Sequence, residues 1–259
     1  MTTGDRFDLS GRVAVVTGGA GLYGQPMCHA LSEAGAHVVV ASRDGERCAA
    51  VAAEIMSAGG AATGMVLDQS SEASVERFRE EFEGRFDRLD ILVNGAIHRQ
   101  GGDMSGTSWT DWAATSATNS LGLFAITKTC AELMVRQGSG SIINIGSIYG
   151  VVGPDFKIYG DTGMTNPAFY AYDKGGMISF TRYLACLYGP SGVRVNCISP
   201  GGLYTDQPEE FVNNYNSRTP LGRMATVDDI KGAVVFLAAD ASSFVTGINL
   251  LVDGGWTAH

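Results

Sequence analysis

Val13-Ala-Val-Val-Thr-Gly-Gly-Ala-Gly-Leu-Tyr-Gly24 is an apolar run that ends in closely spaced glycines and passes at once into a helical pattern. A run such as Val13 to Thr17 suits a strand covered on both faces. Gly18 lets the chain turn sharply, Gly21 lets backbone approach a pyrophosphate, and Gly24 lets the following helix lie against the sheet. Free N–H groups and the partial positive charge at that helix start would receive an anion. A glycine cluster alone also makes an ordinary turn, but one placed after the first strand of a βαβ chain favours dinucleotide binding.

The same alternation continues outward. Strands are predicted at Val13 to Thr17, His37 to Ser42, Ala62 to Leu67, Ile91 to Asn94, Ser141 to Ile145, Arg194 to Ile198 and Asn249 to Val252. Helices are predicted at Tyr23 to Ala34, Gly45 to Ser57, Glu72 to Arg85, Trp109 to Arg136, Ala168 to Tyr188 and Val227 to Ala239. Right-handed crossovers then build one Rossmann-type, doubly wound, mostly parallel seven-stranded sheet with helices on both faces, a single α/β domain over residues 1–259. Its ligands belong outside the carboxyl ends of the strands. Gly150 to Pro167 and Leu203 to Pro220 read as loops too long for routine connectors, the first an inserted loop near the active site, the second a substrate lid.

Composition narrows the function classes. The 259 residues carry a formal net charge of −9 with no cluster of Lys and Arg, which argues against a nucleic-acid partner. Neither a basic, apolar-cored leader nor a membrane-length apolar segment is present, so a cytoplasmic protein without membrane contact is expected. The five cysteines are widely spaced with no C-x-x-C pair, indicating neither a disulfide framework nor a zinc site, and no metal is expected.

Tyr170 and Lys174, one helical turn apart, would project from the same face of their helix. A free phenol has a pKa near 10, and working at neutral pH requires roughly 4 kcal/mol of preferential phenolate stabilisation, which a nearby ammonium helps supply. Tyr-x-x-x-Lys alone also occurs by chance on surface helices. Together, Thr17-Gly-x-x-Gly-x-x-Gly24, Asn119, Ser147, Tyr170-x-x-x-Lys174 and Pro200-Gly201 occur in the order found in short-chain dehydrogenases/reductases, and the chain resembles that family over nearly its whole length. Val252-Asp-Gly-Gly255 is similar to the family's closing strand.

The resemblance implies an NAD(P)-dependent oxidoreductase that moves a hydride to or from an alcohol or ketone carbon. It implies Tyr170 as general acid/base, Ser147 as hydrogen-bond partner of the substrate oxygen, Lys174 as the group that lowers the tyrosine pKa and holds the nicotinamide ribose, and Asn119 as support for a proton-relay water. For the cofactor it implies contacts from Gly18, Gly21, Leu22, Tyr23, Gly24, Ser42, Arg43, Asp68, Asn94, Ala96, Tyr170, Lys174, Pro200, Gly201 and Thr205. For Asp68 and Thr205, a plain strand or helix cap is the alternative. A homo-oligomer, tetramer or dimer, would use the long helices Trp109 to Arg136 and Ala168 to Tyr188.

Three departures from the family pattern matter. Leu22 stands where the middle glycine is usual. Asn94-Gly95-Ala96-Ile97 replaces Asn-Asn-Ala-Gly, so Gly95 removes a side-chain contact. Ser147 and Tyr170 are about ten residues further apart than is common, which places an extra loop containing Asp155, Lys157, Tyr159 and Asp161 beside the reacting carbon. Its polar and aromatic content favours a sugar, polyol or sugar acid as the small-molecule substrate, although an oligomer contact or surface ornament is nearly as good an explanation. A β-ketoacyl thioester or hydrophobic ketone is the enzyme alternative, and a non-catalytic NAD(P)-binding sensor or scaffold the alternative of another class. After the second strand, Ser42 and Arg43 offer a hydroxyl and a guanidinium where an acidic group would select NAD, so NADP is favoured over NAD.

Overall fold

The computed structural model describes residues 2–258. Seven strands form one all-parallel sheet: β1 (Val13–Thr17), β2 (His37–Ser42), β3 (Ala61–Val66), β4 (Ile91–Asn94), β5 (Gly140–Ile145), β6 (Val193–Pro200) and β7 (Asn249–Val252). Their spatial order is β3-β2-β1-β4-β5-β6-β7. The order reverses between β1 and β4, which pair from Ala14 with Ile91 to Thr17 with Asn94, and this switch point opens a crevice at the strands' carboxyl ends. Every residue of β1 and β4 is buried, as continuous apolar strands require, whereas the edge strands β3 and β7 are partly exposed.

Among the described residues there are eight α-helices: α1 (Gly24–Glu33), α2 (Gly45–Ser57), α3 (Glu72–Glu83), α4 (Trp109–Ser116), α5 (Leu123–Gln137), α6 (Ala168–Tyr188), α7 (Glu209–Arg218) and α8 (Lys231–Ala238). Two large apolar clusters, one on each face, join strands to helices; Val16, Met27 and Val38 lie in one, Val15, Phe78 and Ile142 in the other. Several helix starts are fixed by side chains. Asp44 accepts the Arg47 amide, Ser71 the Ser74 amide, and Ser108 and Asp111 make a reciprocal capping box. No side chain caps the start of α1.

Two expectations require correction. The helix predicted over Trp109 to Arg136 is broken by a π-helical turn, Ala117–Gly122, between α4 and α5. A Cβ on Gly122 would lie 2.5 Å from the Gln69 carbonyl oxygen, and the Gln69 amide donates to the Thr118 carbonyl at 2.9 Å. Packing against the segment after β3 therefore fixes the widened turn. The stretch Leu203 to Pro220, expected as loop, contains α7. Phe211 and Tyr215 are its buried residues, and they join Ile148, Ile158, Tyr159, Met224 and Trp256 in a third apolar cluster. Tertiary burial makes this helix, because its sequence is mostly polar and Asn-rich.

The inserted loop is not an ornament hanging in solvent. It makes a short 3₁₀ turn at Phe156–Tyr159, and the Tyr159 ring stacks on Phe211 with centroids 5.5 Å apart. Asp155 pairs with Arg218 of α7, and the Glu210 carboxylate accepts the Asp161 amide at 3.3 Å. Insertion and α7 form one packed cap.

Candidate active site

A cavity of about 640 Å³ runs along the carboxyl ends of the strands, from Ser42 and Asp68 at one end to Tyr159 and Phe211 at the other. That volume lies within the usual range of ligand and cofactor sites. At the switch point Gly18 has φ +67°, and a Cβ there would lie 2.8 Å from the Ala96 Cα. A side chain on Gly24 would overlap the Gly18 carbonyl oxygen. The close approach that Gly24 permits is thus to the turn itself, which places the uncapped start of α1 at the cavity. Gly95, where the family pattern has a side chain, lets the post-β4 backbone meet β1: a Cβ would lie 2.9 Å from the Thr17 carbonyl oxygen.

Of the residues expected at a cofactor site, Gly18, Gly21, Leu22, Tyr23, Gly24, Ser42, Arg43, Asp68, Ala96, Tyr170, Lys174, Pro200, Gly201 and Thr205 all line this cavity. Asn94 does not line it. Its amide donates inward, to Asn144 at 2.8 Å and Thr127 at 3.0 Å, tying β4 to β5 and α5. Asp68 also caps its own loop, accepting the Ser70 amide at 3.0 Å and the Ser70 hydroxyl at 2.6 Å. The Thr205 amide donates to Gln207 at 2.7 Å. Tyr23 spans the crevice, its hydroxyl donating to the Gly201 carbonyl at 3.2 Å.

Beside Arg43 stands Arg47, a second cation on the cavity wall. Helical spacing could have flagged it, since it lies one turn along α2 from the end of β2. Neither guanidinium is among the ion pairs of the described residues. Asp44, between the two arginines in sequence, caps α2 by accepting the Arg47 amide at 3.0 Å.

Ser147, Tyr170 and Lys174 converge near the middle of the cavity. Ser147 follows β5 and accepts the Tyr149 amide at 3.2 Å; Tyr170 and Lys174 share a face of α6. The Lys174 ammonium is buried, donates to the Ile145 carbonyl at 2.5 Å, and stands 5.8 Å from the Tyr170 ring centre. Burial opposes ionisation of the Tyr170 phenol, but the charges of Lys174 and Arg99 and hydrogen bonds from Ser147 and Arg99 outweigh it, and the pKa falls below the ordinary tyrosine value. Burial likewise pushes the Lys174 pKa down.

Arg99 was not among the residues expected at the site. Its guanidinium lies 4.7 Å from the Tyr170 ring centre, where its charge favours the phenolate. The only local sequence signal is a basic residue shortly after β4 in an acidic chain. Asn119 does not line the cavity. From the π-turn it grips the backbone of the residue before Arg99: its amide oxygen accepts the His98 N–H at 2.8 Å, and its amide nitrogen donates to the His98 carbonyl at 3.1 Å. The inserted loop contributes Tyr159, Met164, Thr165, Asn166 and Pro167 to the wall facing this centre.

A parallel sheet with its switch point opening into such a cavity defines the dinucleotide-binding α/β enzymes. Comparisons with known proteins narrow this class. A family profile described as Enoyl-(Acyl carrier protein) reductase matches residues 23–257. The chain is 33% identical to the 3-oxoacyl-[acyl-carrier-protein] reductase of Aquifex aeolicus, over 95% of this chain and 98% of that protein. It is 32% identical to the D-threitol dehydrogenase of Mycolicibacterium smegmatis, over 97% and 95%. A gluconate 5-dehydrogenase of Burkholderia cenocepacia, crystallised with NADP and tartrate, superposes with a TM-score of 0.90 at 33% identity, covering all of both chains. The chain belongs to the short-chain dehydrogenase/reductase family and is an NAD(P)-dependent oxidoreductase.

Proposed function

We propose that the protein interconverts a secondary alcohol and a ketone in a hydroxylated carboxylic acid of the sugar-acid type, with NADP(H) as cofactor. The observation that carries this reading is Arg99, a cation with no carboxylate partner among the described residues, standing over the proposed acid/base Tyr170. A carboxylate near the reacting carbon would find a charge-assisted partner there. Asn166, buried in the cavity wall beside Thr165 and Tyr159, offers polar groups to substrate hydroxyls. The names of the threitol and gluconate dehydrogenases agree with a polyol-like substrate.

The residues present suit NADP. The glycine turn and the start of α1 accept a pyrophosphate, and Arg43 and Arg47 suit the 2′-phosphate of the adenosine ribose. Bound NADP(H) supplies or takes up the hydride. In reduction Tyr170 gives its phenolic proton to the carbonyl oxygen, which Ser147 also contacts; in oxidation the phenolate removes the hydroxyl proton. Lys174 and Arg99 stabilise that phenolate. A homo-oligomer is also proposed, through the face of α5 and α6 where Phe124, Tyr172, Tyr183 and Leu187 are exposed.

A second reading, reduction of a β-ketoacyl thioester, is favoured by the Aquifex relative. The test is turnover with NADP(H) or NAD(H) over aldonic acids, their keto forms, neutral polyols and acetoacetyl-coenzyme A, with Tyr170→Phe as control. The sugar-acid reading expects the highest kcat/KM on an acid and a loss of about 10² to 10⁴ in kcat in the variant at unchanged NADPH affinity. Preference for the thioester overturns it. NADPH binding without turnover above the control on any substrate returns the sensor reading.

A further inference from the structure

Asp173 lies between the two residues of the proposed acid/base pair and takes part in none of the chemistry above. We propose that Asp173 is a positioning residue for proton transfer: its carboxylate fastens Asn119, and through it the backbone beneath Arg99, while balancing the neighbouring Lys174 ammonium. The inference rests on the roles assigned to Tyr170 and Lys174.

The geometry is a chain of contacts. Position 173 is on the side of α6 that faces the π-turn, and the Asn119 amide donates to its Oδ2 at 2.8 Å. The same amide group holds both backbone groups of His98. Asn119 therefore has one orientation: exchanging its oxygen and nitrogen would set its single acceptor oxygen against both the His98 carbonyl and the Asp173 carboxylate. Since Arg99 directly follows His98, the carboxylate anchors the segment that presents the guanidinium to the phenol.

Charge gives the second half of the argument. Lys174 is faced by Tyr170 and Asp173 from its own helix, by Cys197 from β6 and by Arg99 from the post-β4 segment. Burial and Arg99 work to discharge the ammonium; Tyr170, Cys197 and Asp173 work to keep it charged. Around Asp173 the groups are Asn119, Ser120 and Lys174, while the His98 imidazole is engaged by Gln100 at 3.1 Å. Burial raises the Asp173 pKa, so its ionised form is carried at a cost to folding at neutral pH.

The chain contains only four lysines, Lys128, Lys157, Lys174 and Lys231, so NMR of lysine ¹³Cε in the free protein can follow Lys174 without turnover, its signal assigned by loss in Lys174→Met. In Asp173→Asn, which retains the acceptor but not the charge, the Lys174 titration midpoint is expected to fall by about half a pH unit or more. The basic limb of the oxidation profile should fall with it, while Tm stays unchanged or rises. Asp228→Asn, which removes the partner 2.9 Å from Lys231, should move only the Lys231 signal. Asp173→Ala, lacking the acceptor too, should lose a further tenfold or so in kcat.

An unmoved Lys174 midpoint in Asp173→Asn overturns the charge-balancing role. Wild-type kcat and pH profile in Asp173→Ala overturn the positioning role. Should Asp173→Asn not fold, Asp173→Ser carries the same midpoint test. Activity surviving in Tyr170→Phe would instead strike the proton-transfer assignment itself.

Discussion

Around the Tyr170 phenol, two cations and a serine hydroxyl compete with the cost of burying a charge, and together they win. The sign of the pH dependence follows. Oxidation needs the phenolate, so its rate should rise with pH through a midpoint below the ordinary value near 10; reduction needs the phenol and should fall through the same midpoint. Arg99→Leu removes one stabilising cation and should move both limbs to higher pH, read from kcat/KM profiles. On a carboxylate substrate it should also cost about 100-fold in kcat/KM, with a smaller effect on a neutral polyol; equal losses on both would deny Arg99 a carboxylate-binding role. The shared face of Tyr170 and Lys174 was legible from their one-turn spacing, while Ser147 entered only through the family resemblance; all three line the same cavity. Arg99 was not legible, because only the tertiary path after β4, held by Asn119, brings it over the ring.

The central strands could be read directly, since burial on both faces demands unbroken apolar runs, as in Val13–Thr17 and Ile91–Asn94. α7 could not. Its apolar residues Phe211, Val212 and Tyr215 make too narrow a stripe, and what orders them is Tyr159 from the insertion and Trp256 from the end of the chain, whose ring lies 4.2 Å from that of Tyr215. The π-turn was equally hidden, because the contact that widens the helix belongs to Gln69, far away in sequence. If the insertion and α7 form one cap, truncating one side must loosen the other. Phe211→Ala should therefore speed amide hydrogen exchange in residues 156–164 and 209–218 together, and raise KM for the substrate while NADPH affinity stays within about twofold. Faster exchange confined to α7 would show two independent elements.

On the scale of the molecule, the crevice crosses the sheet. Residues up to β3 and its loop furnish the end bearing Ser42, Arg43, Arg47 and Asp68, while residues after β5 furnish the end bearing Ser147, the insertion and α7. Replacing Arg43 and Arg47 together by alanine should weaken NADPH binding by roughly 10- to 100-fold, measured by fluorescence titration, and leave NADH nearly unaffected. Equal weakening of both would place the two guanidinium groups on the shared pyrophosphate instead.

The division also bears on descent. The groups proposed to choose the redox carrier, Ser42, Arg43 and Arg47, all lie upstream of β4, so mutation there can change which carrier is accepted while the insertion and α7, encoded downstream with the nicotinamide-side residues, stay inherited. Arg99, rooted at the seam between the two stretches, belongs cleanly to neither.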